Sequence, residues 1–460
     1  MKTAQKRRHT SQSPYAAPSA NANKAGLEPR RVATRLLAAV IDRRTPLDAL
    51  TDGEHGHPQF LALPPRDRAL VRAILASALR HRRTIEKLIV DKLERSLPPN
   101  AQALSHILHV GAAQILFLDV PDSAAVDLAV TQAKADPRAR RFSGLVNAVL
   151  RNIVRSKDGE LERALAETRD APGWFIERLE AAYGSAQTDA ILEMHRREPP
   201  VDFTMKYDPP VWAQRLGGRV LPNGSVRVER LQAPVPELPG FDEGVWWVQD
   251  AAASLPARLL GNVAGLAVAD LCAAPGGKTA QLALAGAKVT AVDLSASRLR
   301  RLSANLDRLG LQATIVQADL LKWQPDSLFD AALLDAPCSS TGTVRRHPDV
   351  PWTKSPDDIA RLAQLQRELL GRALDLVRPG GIVVFSNCSL DPSEGEVLVE
   401  RMLAERSDAA LDPIRAEELP GAGHFVTDRG FLRTTPAEQS GTEHLGEVDG
   451  FFAARLQRKV

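Results

Sequence analysis

Apolar residues in the first third of the chain recur at helical spacing. In "RRVATRLLAAVI", Val32, Leu36, Leu37, Val40 and Ile41 share one stripe, and "RALVRAILASALRHRRTIEKLI" and "ALSHILHVGAAQILFL" repeat the pattern. Prolines at Pro64-Pro65, Pro98-Pro99 and Pro121 separate these runs, and no alternating pattern interrupts them. An all-α domain over residues 28–165 is expected. Residues 166–245 are mixed: a helical stretch from "PGWFIERLEAAYG" to Met194 stops at Pro199-Pro200. Short alternating pieces such as "VDFTMKY" and "GSVRVERL" then predict a small α+β connector. From 246 to 460 the pattern becomes strand then helix, repeated. "LAVADLC", "KVTAVDL", "ATIVQADLL", "FDAALLDAP" and "GGIVVFSNCSL" alternate with helical segments such as "SASRLRRLSANLDRLG". That alternation predicts a doubly wound, Rossmann-like parallel sheet, making the whole a multi-domain chain with an α/β carboxyl-terminal half.

In such sheets ligands bind outside the carboxyl ends of the strands, so those ends locate the chemistry. "DLCAAPGGKTAQL" ends the first of them. Pro275, Gly276 and Gly277 make a tight turn before a helix, so Cys272, Ala273, Ala274, Pro275, Gly276, Gly277 and Lys278 are candidate cofactor contacts. Asp293 ends the second strand, where a carboxylate accepts hydrogen bonds from ribose hydroxyls, and Asp319 ends the third, beside an expected adenine edge. A Walker A phosphate loop requires glycine where Cys272 stands, and a dinucleotide fold prefers GxGxxG, which is absent. A class I S-adenosylmethionine site fits best, because it has no pyrophosphate to cradle and an acid ends each of its first strands.

Composition narrows the class. With 44% hydrophobic and 25% charged residues, 460 residues suit a soluble globular protein of two or three domains. No apolar run reaches membrane-spanning length, so no membrane association is expected. "MKTAQKRRHTSQSPYAAPSANANK" has no apolar stretch after its basic residues, and a disordered basic tail over residues 1–27 is expected rather than a secretion signal. The net charge of +3 decides little, but basic residues gather at Arg80–Arg83, Arg138–Arg141, Arg151–Lys157 and Arg345–His347. Arg138, Arg140, Arg141, Arg151, Arg345 and Arg346 are therefore candidate phosphate contacts for a polyanion. Three cysteines, with no CxxC or His-Cys zinc spacing, exclude a disulfide framework and predict no metal; His55 and His57 sit in a Gly/Pro loop. Free thiols in a reducing cytoplasm are expected.

Two of those cysteines carry the chemistry. Cys338 follows the fourth strand in "DAPC" and Cys388 ends the fifth in "SNCS". Adjacent strands lie about 4.8 Å apart, so both thiols, with Asp335, should face one cleft beside the cofactor. A thiolate adding to C6 of cytosine makes C5 nucleophilic toward a sulfonium methyl, and loss of the C5 proton then expels the thiol. The acid form of Asp335 would hydrogen-bond N3. Spacing does not order the two thiols, since DNA cytosine methyltransferases attack with the one that follows proline.

"DLCAAPGGKTAQL", "LLDAPCSSTGTVRRHPDVPW", "SNCSLDPSEGE" and "DGFFAARLQ" resemble the RNA cytosine-C5 methyltransferases of the Nol1/Nop2/Sun family, across residues 246–460. The resemblance implies Cys388 as nucleophile, Cys338 in product release, and S-adenosylmethionine binding by Cys272–Lys278, Asp293, Asp319 and Asp335. "FSGLVNAVLRNIVR" resembles the end of a NusB-like RNA-binding domain. That pairing implies a monomeric enzyme acting on 16S ribosomal RNA before full assembly, with the target base flipped from its stack. A transfer-RNA enzyme of the same class and a non-catalytic RNA-binding factor are the rival readings. Two departures stand out. Phe385-Ser386-Asn387-Cys388 replaces the family's Thr or Tyr-Ser-Thr-Cys, and "VDFTMKYDP" stands where members often carry Arg-x-Asn.

Overall fold

The computed structural model describes residues 25–98, 101–437 and 444–460. The tail expected over 1–27 lies outside these residues except for its last three, and Leu27 already begins a helix. The chain divides into two compact units, the first containing residues 50–78 and 85–166 with the amino-terminal segment to 38. The second contains 167–460 together with 39–49 and 79–84.

The described elements of the first unit are all helices, as the periodicity predicts. Val32, Leu36, Leu37 and Val40 of the first stripe are buried, and Ile41 is partly so. The helix Gln102–Phe117 is buried on nearly all sides, so it reads as apolar without a polar face. Gly111 lets the helix Ser143–Glu167 approach it: a Cβ there would meet Leu150 at 2.7 Å.

The second unit carries two sheets. The small one is antiparallel, built from β1 (Val201–Met205), β2 (Arg219–Val220), β3 (Val226–Val228) and β4 (Trp246–Val248) in the order β2-β3-β1-β4. Its fourth strand begins one residue beyond the connector boundary expected at 245. The helix before it, Gly173–His195, is broken at Gly184, whose φ of 76° suits glycine.

The large sheet contains β5 (Ala267–Leu271), β6 (Lys288–Asp293), β7 (Thr314–Gln317), β8 (Phe329–Asp335), β9 (Val377–Asn387), β10 (Ala409–Leu411), β11 (Leu432–Thr434) and β12 (Phe451–Arg458). The order β9-β8-β5-β6-β7 is parallel, as expected. Beyond β9 it turns antiparallel: β12 pairs with β9, and its far edge is shared by β10 and β11. Successive residues point to opposite faces. Leu334, Phe385 and Phe452 enter one core under the helix Pro356–Leu376, while Leu333, Val384 and Phe451 enter the other. Burial on both faces explains why these strands read as continuous apolar runs. No described helix is long and apolar enough to cross a membrane.

Candidate active site

Every carboxyl end of the parallel strands opens on one side. After β5 the chain turns through Cys272–Gly276 into the helix Gly277–Leu284. Gly276 has φ of 102°, and a Cβ there would meet Leu302 at 2.8 Å, so only glycine fits this turn. Cys272 and Ser340 take left-handed backbone at non-glycine positions, in the loops after β5 and β8 respectively.

Cys272, Ala274, Asp293, Asp319, Asp335, Cys338 and Cys388 line one cleft of about 450 Å³. Ala273, Pro275, Gly276, Gly277 and Lys278 line an adjoining cavity of about 370 Å³, which shares Ala274 and Asp335 with the cleft. Asp293 accepts hydrogen bonds from the Ser295 amide at 2.9 Å and the Ala274 amide at 3.2 Å, and pairs with Arg298. Asp319 lies two residues beyond β7, where one carboxylate oxygen accepts from the Leu321 amide and the other is 3.4 Å from Lys322. Burial pushes the Cys272 thiol up to about 12, with Asp293 and Asp335 adding to the shift, so this sulfur stays protonated and unreactive. Burial likewise raises Asp270, at the base of the site, to about 7, although Thr279 donates to it at 2.6 Å. The glycine cradle and an acid at the end of β6 fit an adenosyl sulfonium: Cys272–Lys278 would hold its amino-acid end, Asp293 the ribose and Asp319 the base.

At the other end of the cleft Lys278 Nζ donates to Asp335 Oδ2 at 2.7 Å, and Ser386 Oγ donates to Oδ1 at 3.1 Å. The sulfurs of Cys338 and Cys388 are 3.4 Å apart, and both thiols are free and half-buried. The pair is asymmetric. The hydrogen bond from Cys338 holds Cys388 below the usual thiol range, helped by Ser340 and Lys278 against burial and Asp335. The same bond, with burial, pushes Cys338 well up. Within the pair the proton is therefore held more firmly by Cys338 than by Cys388.

The expected phosphate contacts divide. Arg345 and Arg346 are a correction: both guanidinium groups are committed to internal carboxylates, although Arg346 stays 24% exposed. Arg345 is 0% exposed, with Nη2 2.9 Å from Asp449 and 3.5 Å from Asp250. Arg346 donates to Asp449 at 2.9 Å, to Asp250 at 2.7 Å and to the Pro200 carbonyl at 3.1 Å. Four charges converge there because each guanidinium needs a carboxylate once it leaves water. Arg138, Arg140, Arg141 and Arg151 are exposed on the helical unit. Arg138 is tied to Asp136 at 3.0 Å and Arg151 to Asn147 at 3.0 Å.

The sequence reading missed Glu394, Gln366 and Ser389, which brace the two cysteine loops, and Ser386, which orients Asp335. The "PSEGE" run after Cys388 was the available signal for Glu394. Asn387, the departure from the family pattern, is buried: its amide donates to Gln366 at 3.0 Å and to the Glu394 carbonyl at 2.7 Å. Among the described residues no group of three or more potential metal ligands occurs.

Known proteins match both halves. Residues 258–457 match the family 16S rRNA methyltransferase RsmB/F, and residues 27–155 match the NusB family. A ribosomal RNA small subunit methyltransferase B of Salmonella arizonae is 35% identical over 430 residues, covering 88% of this chain and 96% of that one. In structure, the protein PH0851 superposes with a TM-score of 0.70 at 23% identity, covering 95% of this chain and 99% of its own. A methyltransferase homologue from Pyrococcus horikoshii gives 0.52 at 27% identity, over 62% of this chain and 94% of its own. NSun6 from Pyrococcus horikoshii, solved with SFG, gives 0.51 at 21% identity, over 62% and 98%.

Proposed function

The chain belongs to the 16S rRNA methyltransferase RsmB/F family, with a NusB domain ahead of the catalytic one, and from that premise we propose that it methylates C5 of a cytosine in 16S ribosomal RNA. S-adenosylmethionine supplies an electrophilic methyl on a sulfonium. The observation that carries the reading is the contact between the Cys338 and Cys388 sulfurs at 3.4 Å, beside Asp335.

Cys388 adds as thiolate to C6 of the flipped base. Lys278 and Asp335 present a donor and an acceptor side by side. An ammonium suits N3 and O2 of cytosine, and a carboxylate suits its amino group; the carboxylate would repel the O4 of uracil. Lys278 Nζ, which donates to Asp335 at 2.7 Å, is the donor placed to serve N3 in this arrangement, in place of the acid form of Asp335 expected from the sequence. After methyl transfer a water molecule takes the C5 proton as base, the C5–H electrons re-form the C5–C6 double bond, and the C6–S pair leaves on Cys388 as thiolate. Cys338, still carrying its proton, hydrogen-bonds the departing Cys388 thiolate and so assists release. The exposed arginines of the helical unit would hold phosphates.

RNA containing 5-fluorocytidine tests the reading, because fluorine at C5 blocks the elimination. Wild type with labelled methyl donor gives a denaturation-resistant adduct. Cys388→Ala gives none and loses methyl transfer, whereas Cys338→Ala accumulates adduct even on ordinary RNA. Methyl transfer by Cys388→Ala would overturn the assignment.

A further inference from the structure

The buried carboxylate of Glu394 touches the residue after each of the two cysteines. Its Oε1 accepts from the Ser339 amide at 2.9 Å and from Gln366 Nε2 at 2.8 Å. Its Oε2 accepts from Ser389 Oγ at 2.6 Å and from Ser339 Oγ in a short contact. Ser339 follows Cys338 and Ser389 follows Cys388, so one side chain staples the loop after β8 to the loop after β9. Other bonds close the same staple: Thr341 Oγ1 accepts from the Leu390 amide at 2.9 Å, and the Gly342 amide donates to the Cys388 carbonyl at 2.9 Å.

We propose that Glu394 is a positioning residue that holds the two thiols face to face and assigns the nucleophilic role to Cys388. The proposal rests on the two-thiol reading above. Glu394 is 0% exposed, makes no ion pair among the described residues, and its four hydrogen bonds come from neutral donors on Ser339, Gln366 and Ser389. Burial raises this carboxyl, while the hydrogen bonds from Ser339, Ser389 and Gln366 favour its ionised form. It contributes to the upward displacement of Cys338, whereas the charges acting on Cys388 are those of Asp335 and Lys278. The cations that face Glu394 from neighbouring elements are already matched. Arg178 is held by Asp391 at 2.6 Å, and Arg433 by Glu396 at 2.7 Å. One carboxylate thus joins both cysteine loops while its charge acts on Cys338, adding to the asymmetry that the thiol–thiol hydrogen bond sets up.

The test needs neither RNA nor methyl donor, so its failure is distinct from failure of the proposed reaction. The full-length protein is pulsed with iodoacetamide across a pH series, and alkylation at Cys338 and Cys388 is measured separately by peptide mass. Wild type reacts first at Cys388. In Glu394→Gln the preference falls by about tenfold, the change that one pKa unit produces. An unchanged preference in a Glu394→Gln protein that melts like wild type overturns the proposal. Should that variant fail to fold, Ser339→Ala and Ser389→Ala each remove one bond to the carboxylate and should both erode the preference; wild-type selectivity in both would overturn it equally. A merely structural Glu394 would change melting but not the order in which the thiols react.

Discussion

Two groups of arginines look alike in the sequence and meet opposite fates. "RARR" at Arg138–Arg141 and "RRH" at Arg345–His347 are short basic runs beside apolar residues. The first lies on the surface of the helical unit, where the Arg138 side chain is 77% exposed. The second is turned inward in the catalytic unit, where Arg345 is fully buried, Arg346 is partly so, and the two share Asp250 and Asp449. The difference lies in the carboxylates, not in the arginines. Asp449 opens the "DGFFAARLQ" strand, and Asp250 follows β4, so the pairing that neutralises the run is made only when β12 and the small sheet are in place. Asp202 on β1 extends the same network through Arg227 at 2.6 Å and the Ala251 amide at 3.0 Å. A basic cluster predicts a polyanion partner only where the fold leaves it unanswered.

The strongest way to break the comparison is to remove one member of the buried set. Arg345→Ala leaves the two buried carboxylates Asp449 and Asp250 to share Arg346 alone, one charge uncompensated, and such a loss costs about 3–5 kcal/mol. Chemical denaturation should show that loss without added RNA. A loss below about 1 kcal/mol, the scale of a surface pair, would place Arg345 with the exposed group.

A second consequence is read through pH. His195 packs against Phe175 in the same region, and burial, with Arg345 and Arg80 nearby, lowers it from 6.5 to about 3. Unfolded, it binds a proton below about 6.5; folded, it stays neutral until about 3. The unfolded state therefore holds more protons within that window, so His195 contributes stability above pH 6.5 that is lost as the pH falls toward 3. Each pH unit inside the window costs about 1.4 kcal/mol. His195→Leu should flatten the acid limb of stability against pH, and an unchanged limb would show that the ring is not held neutral.

The same contrast explains how much was legible beforehand. Asp293 and Asp335 end apolar strands, Gly276 stands in a turn that only glycine fits, and Cys338 and Cys388 follow adjacent strands; each signal is local, and strand order does the rest. The antiparallel extension of β10, β11 and β12 was not legible, because a buried strand in either direction reads as the same apolar run. The interior fate of Arg345 depends on Asp449, about a hundred residues away. Glu394 was hidden for the same reason: its partners are a serine five residues back, another on the loop after β8, and a glutamine on a long helix. Side chains that act alone at a strand end can be found from the chain; those that act by pairing across it cannot.

The exposed arginines carry the smallest expected effects and the sharpest contrast. Arg140, Arg141 and Arg151 stand on the helical unit, with Arg141 over the Phe142 ring at 4.7 Å and no carboxylate contact among the described residues at any of the three. Replacing one by alanine should leave unfolding unchanged to within about 0.5 kcal/mol, as expected for the surface. If that residue holds a phosphate, binding to 16S ribosomal RNA should weaken for every sequence alike. The slope of log affinity against log salt should then fall by about one. Arg138 is the internal control, since Asp136 already answers its charge, and Arg138→Ala should move the slope least. Equal slopes for all four variants would mean that carboxylate pairing does not decide which arginines reach RNA, and the distinction drawn between the two basic runs would fail.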